Sequence, residues 1–232
     1  MTRSTVKTTT IVLLTAVVAM ACGNPASNDP ATTPTTTALP FPYPPLKFYT
    51  EIAVPLEAPL HSAAEFALTM EADDLRLLDP RVADSIRPTF LSKAAPEAYE
   101  YFEPFQSPDF VNDTGGQTLR VVGAQDQVDQ TVEVSICIYN SPGQYTLYKD
   151  GHIGGPMDTP YPYVLRRTRV QWTDRAAADG SVAAGPRWLW VNNGVDLKMT
   201  NEVRSSVCEP FKPDPFVQKM PDPTTPIPTP TR

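Results

Sequence analysis

Thr131-Val132-Glu133-Val134-Ser135-Ile136-Cys137-Ile138 alternates aliphatic side chains with residues of other kinds at every second position. A period of two puts Val132, Val134, Ile136 and Ile138 on one face, so the spacing predicts a half-buried strand over residues 130–139. Its neighbours have the same texture. A strand over 118–122 follows a Gly115-Gly116 turn signal, and one over 144–148 follows a Ser141-Pro142-Gly143 turn. After a Gly- and Pro-rich loop at 150–162, residues 163–173 set Val164, Thr168, Val170 and Trp172 against Arg167, Arg169 and Gln171. Residues 187–191 and a last strand reaching toward Cys208 complete the expected antiparallel sheet.

Upstream of the strands the period lengthens. Leu60, Ala63, Ala64, Ala67 and Met70 recur at the spacing of one helix face, and Leu75 and Leu78 continue it. Pro80 is expected to end or break this segment. Two further helical pieces are expected at 81–86 and 96–102, where Tyr99, Tyr101, Phe102 and nearby Phe105 supply aromatic bulk. Helices first and consecutive antiparallel strands later define an α+β fold rather than an alternating one.

Proline marks the limits of this folded part. Residues 22–45 hold seven prolines and residues 209–232 hold eight of the total of 27, so both ends read as tails. The expected organisation is a signal peptide over 1–21, a lipidated Cys22 with a Pro/Thr-rich spacer to 45, an α+β domain over 46–211, and a Pro-rich, disordered tail over 212–232. The signal peptide is read from the basic Arg3 and Lys7, the apolar run at 11–18 and the small residues that follow. That run is shorter than the roughly 20 apolar residues a membrane-spanning helix needs. Ala19-Met20-Ala21-Cys22 resembles a bacterial lipobox, and the resemblance implies lipidation of Cys22 and display on the outer side of the cell membrane.

Of the three cysteines, a lipidated Cys22 leaves Cys137 and Cys208. An oxidising compartment favours a disulfide between them, the alternative being two buried free thiols. His61 and His152 lie far apart without ligand-spaced partners, so no metal site is expected. Removing residues 1–21 takes away two basic residues and no acid, leaving 17 basic and 26 acidic. Such a chain lacks the concentrated basic surface of a nucleic-acid binder.

The strand at 132–137, the turn and Tyr145-Thr146-Leu147-Tyr148-Lys149-Asp150-Gly151 after it, the basic strand Arg166-Arg167-Thr168-Arg169-Val170 and the closing Cys208 resemble a group of actinobacterial, especially mycobacterial, lipoproteins and exported proteins. Their folded part is similar to nuclear transport factor 2 and the SnoaL-like proteins. The resemblance implies a cone, with N-terminal helices packed into the concave face of a curved, mostly antiparallel sheet, and again a Cys137–Cys208 pair. Residues 176–184 and Trp188-Leu189-Trp190 depart from the group's pattern.

Enzymes of this wider fold combine a carboxylate with tyrosines in the cone. Asp73, Asp74, Asp79, Tyr99 and Tyr101 are the residue types such chemistry would draw on, but Asp73-Asp74 ahead of an apolar run reads as a helix start. No nucleophile elbow, phosphate loop or dinucleotide glycine pattern is present, and no cofactor is expected. Arg166, Arg167 and Arg169 form a candidate anion patch, against the alternative of a solvated face paired with acids. Trp172, Trp188 and Trp190 are candidates for lining a cavity or filling a core. The expected function is therefore a lipid-anchored binding or protein-interaction module of the cell envelope, not an enzyme. A carrier or sensor of a small apolar ligand is the alternative, followed by an isomerase or lyase.

Overall fold

The alternation at 131–139 continues into a strand of twice that length. The computed structural model describes residues 41–99, 109–156, 161–192, 194 and 198–224. The signal run, Cys22, the spacer as far as residue 40, Tyr101, Phe102, Phe105 and residues 225–232 lie outside them. In chain order come β1 (Lys47–Ile52), α1 (Leu60–Arg76), α2 (Pro80–Leu91), α3 (Pro96–Tyr99), β2 (Phe110–Asp126), β3 (Thr131–Tyr148), β4 (Ile153–Gly154), β5 (Tyr163–Thr173), β6 (Arg187–Asn192) and α4 (Asn201–Cys208). The fold is α+β. Its mixed six-stranded sheet has the order β1-β2-β3-β5-β6, with β4 on the end of β3, and only β1 runs parallel to its neighbour.

The α1 face is the one its spacing defines. Ala63, Ala64, Ala67 and Met70 are fully buried, and the three alanines let the helix lie close against Val121, Val134 and Ile136 in one core cluster. The helical segment ends at Arg76, before Pro80, as expected. Pro80 occupies the first turn of α2, where its missing N–H costs nothing, behind an Asp79 cap whose Oδ1 accepts from the Arg81 N–H at 2.9 Å. Asp73 and Asp74 consequently fall in the last turn of α1, which corrects their reading as a helix start.

Two expected turns are also corrected. Gly115-Gly116 lies inside β2 and Ser141-Pro142-Gly143 inside β3, and Gly116 pairs with Gly143 across the ladder. Here glycine serves close approach: a Cβ on Gly115 would meet the Gly143 carbonyl oxygen at 1.9 Å, and both residues have positive φ, 91° and 107°. Register shifts at Gly116/Thr118 and Val121/Gly123 mark bulges, which bend a long strand pair rather than end it.

Alternation along β3 serves two cores. Val132, Val134, Ile136 and Ile138 face α1, whereas Cys137 and Tyr139 face the other side and pack with Tyr163, Leu165, Met199 and Cys208. Cys137 and Cys208 are joined by a disulfide with Cα atoms 5.7 Å apart, and the Tyr139 hydroxyl donates to the Cys208 carbonyl at 2.6 Å. The expected last strand toward Cys208 is instead α4. Thr200 begins it by accepting from the Val203 N–H, and the disulfide holds its C-terminal end against the sheet.

The domain also extends beyond the expected limits of 46 and 211. Tyr43 is buried, and the Pro44 carbonyl accepts from Thr114 Oγ1 at 2.6 Å. In the Pro-rich stretch, residues 217–219 bond to β3, with the Val217 N–H donating to Ser141 Oγ at 3.2 Å and the Lys219 N–H to the Pro142 carbonyl at 2.9 Å, and the Thr224 N–H donates to the Pro42 carbonyl at 2.6 Å. This corrects the expectation of a free tail for those residues. Proline lacks the N–H but keeps its carbonyl, and the residues between prolines supply the donors.

Replacing Cys137 or Cys208 with serine should lower stability by about 4 kcal/mol, the chain-entropy value for a loop of this length, with separation 71. Thermal melts of the oxidised wild type and the variant give the comparison; equal melting temperatures would mean that the bridge contributes nothing.

Candidate functional site

Ile136 of β3 lies opposite Arg166 of β5, and Val134 lies opposite Thr168. Arg166 therefore shares the inward face of the sheet, while Arg167 and Arg169 point the other way. Arg167 is exposed, and Arg169 pairs with Glu133 at 3.1 Å on the outer face. The three arginines do not form one anion patch, because adjacent strand residues project to opposite sides.

What Arg166 meets is a pair of carboxylates from α1. Glu71 and Asp74 follow Ala67 by four and seven residues and so continue the helix face that docks on the sheet. One Arg166 nitrogen donates to Glu71 Oε2 at 2.6 Å and to Asp74 Oδ2 at 2.7 Å, and Thr168 Oγ1 donates to Glu71 Oε1. The Glu71 side chain is wholly buried, with Asp74 at 9% and Arg166 at 16% exposure. One guanidinium cannot neutralise two carboxylates. Burial, opposed by Arg166 and reinforced by the Asp74 charge, pushes the Glu71 carboxyl up to about 7, and burial also raises Asp74. Below about pH 7 the Glu71 carboxyl therefore tends to hold a proton.

The tryptophans divide as well. Trp190 is buried edge-on against Phe90, with ring centroids 5.2 Å apart. Trp172 and Trp188 make their own edge-to-face pair at 5.3 Å and, with Pro59, Ser62 and Val132, line an open groove of about 330 Å³ beside the start of α1. Trp188 Nε1 donates to Ser62 Oγ at 3.3 Å, and Trp172 is 42% exposed.

A second cleft of about 370 Å³ opens beyond the other end of α1, where Asp113 and Gln144 face Leu75 and α2. Sequence reasoning missed Glu71 and Asp113. The parity of Arg166 with Thr168 and Val170 was a signal for the first, because it places a cation on the core side; no local pattern distinguished Asp113.

The remaining candidates take local partners. His61 lies 3.4 Å from Glu65, His152 stacks on Tyr148, Asp73 pairs with Arg76, and Asp79 pairs with Arg81. Among the described residues no group of His, Cys, Asp or Glu is arranged to hold a metal, and no helix is long and apolar enough to cross a membrane. Comparison with protein-family models and with curated proteins finds no match.

The cluster makes stability depend on pH with a definite sign. The folded Glu71 titrates near 7 and the unfolded one near 4.5, so the folded state holds the extra proton between those values. Stability should be greatest below about pH 4.5 as far as Glu71 is concerned, and be lost as pH rises through 7, by on the order of 3 kcal/mol. Asp74 acts in the same direction. Urea unfolding between about pH 5 and pH 8 should show this slope in the wild type and a flattened one in Glu71→Gln; an unchanged slope would remove Glu71 from the account.

Proposed function

We propose that the protein is a lipoprotein anchored through Cys22 to the outer side of the cell membrane, whose domain acts as a protein-binding module of the cell envelope. The finer reading of the fold, a cone of the nuclear transport factor 2 type, belongs to the same proposal. It is supported by α1 packing across one face of a sheet whose longest strand pair carries bulges.

The observation that carries the binding reading is the exposed Trp172 against Trp188 at the rim of a packed interior. Met70, Phe90 and Trp190 fill the space between helices and sheet, which weighs against a small apolar ligand carried at its centre. Glu71 and Asp74 are taken up by Arg166 and Thr168, which weighs against proton transfer by these carboxylates. A tryptophan pair at an open groove offers a large rigid contact surface at little entropic cost, the feature that marks binding hot spots. The spacer after Cys22 would lift that surface away from the membrane.

Two measurements test this. Cys22→Ser should move the protein from the membrane to the soluble fraction of the cells that export it, and continued membrane association would overturn the anchor. A photocrosslinking residue at position 172 should capture one discrete envelope protein in intact cells, while the same residue at exposed position 203 should not. Trp172→Ala should lower stability by about 2–3 kcal/mol, the lost ring pair plus the covered part of the side chain. Identical adducts at both positions would sink the proposed contact surface.

A further inference from the structure

The cleft beyond the C-terminal end of α1 has the composition of a ligand site rather than of a packing fault. Its walls are apolar, formed by Leu75 at the end of α1, Val82 and Ile86 of α2, and Phe48 of β1. Asp113 and Gln117 of β2 and Gln144 of β3 bring polar groups from the sheet side, and Arg76, Asp79 and Ser85 bring them from the helix side. A volume of about 370 Å³ lies within the range of small-molecule sites.

Asp113 is held rather than mobile. It lies directly across the ladder from Thr146, whose Oγ1 donates to Oδ1 at 2.6 Å, while Gln144 Nε2 donates to Oδ2 at 2.7 Å. Both hydrogen bonds come from neutral groups. The charged groups nearest the cleft are already engaged: Arg81 of α2 makes a two-pronged pair with Asp79 and lies over the Phe41 ring, and Arg76 of α1 pairs with Asp73 and lies over the Phe48 ring. Asp113 thus carries a half-buried charge that no described salt bridge neutralises. Burial, followed by the repulsion of Asp79, raises its carboxyl above the usual range.

What remains open toward the cleft is acceptor capacity. Each Asp113 oxygen accepts one of these two hydrogen bonds and has a second lone pair. A half-buried carboxylate with no described salt bridge, set beside an apolar wall, matches one ligand chemistry better than others. We infer that this cleft binds a small primary amine with an apolar body, its ammonium on Asp113 and its body against Phe48, Val82 and Ile86. The site is separate from the Trp172 groove and does not depend on how that groove is used.

The test uses the full chain and two matched pairs of probes, phenethylamine with 2-phenylethanol and hexylamine with 1-hexanol, titrated calorimetrically to millimolar concentrations. Each amine should bind about tenfold or more tightly than its alcohol, as a charge-assisted hydrogen bond would give. Asp113→Asn should abolish that preference, and Val82→Phe, which narrows the cleft, should weaken both members of each pair. Should Asp113→Asn fail to fold, wild-type titrations decide. The amines stay cationic from about pH 7 to about pH 4, so protonation of Asp113 should weaken them while leaving the alcohols unchanged. Equal affinity of amine and alcohol, amine binding that ignores both Asp113→Asn and pH, or no amine binding at all would overturn the inference.

Discussion

Arg166 reaches from the inner face of the sheet to two carboxylates on α1, and the position of α1 follows from that contact. A helix resting on alanines alone could slide along a smooth sheet at little cost, because small side chains offer few interlocking ridges. A buried guanidinium shared by Glu71 and Asp74 allows one setting, since breaking a buried pair leaves an uncompensated charge and costs about 3–5 kcal/mol. Both clefts depend on that setting. The start of α1 brings Ser62 to Trp188, and its end places Leu75 over the cleft that holds Asp113.

The opposite face of the sheet is secured covalently. Tyr139 and Cys137 project away from α1, and the disulfide with the Tyr139 hydrogen bond draws α4 against them. Residues 217–219 then bond to β3, and Thr224 meets Pro42. The two ends of the described chain are therefore fastened to each other where the Thr224 N–H and hydroxyl both donate to the Pro42 carbonyl, and the N-terminal approach to the domain is part of the folded body. In the proposed lipoprotein this segment would be the point where the anchor meets the domain.

Function in this arrangement would reside at the ends of α1 rather than beneath it. The middle of the helix covers a core packed by Met70, Phe90 and Trp190, and its buried charges are satisfied by one another. Where the helix stops, the inner surface opens as a tryptophan-lined groove at one end and a carboxylate-bearing cleft at the other.

Local order was legible in the amino-acid sequence. The period of two at 131–139, the boundaries of β5, the buried stripe of α1 and the pairing of Cys137 with Cys208 all appear as expected, because they follow from the spacing of consecutive side chains or from the cysteine count. Features that depend on a distant partner were not legible. Glycines that read as turns sit in a bulged ladder, since the same freedom of φ serves both. Three neighbouring arginines read as one patch, yet strand parity sends one inward and two outward. Whether Glu71 or Asp113 would be desolvated depended on β5 and α2 respectively, and a sequence states a charge without stating what will surround it. Spacing along the chain determined the elements, and tertiary packing alone decided which charges lost water, because desolvation is a property of neighbours brought together from far apart in the sequence.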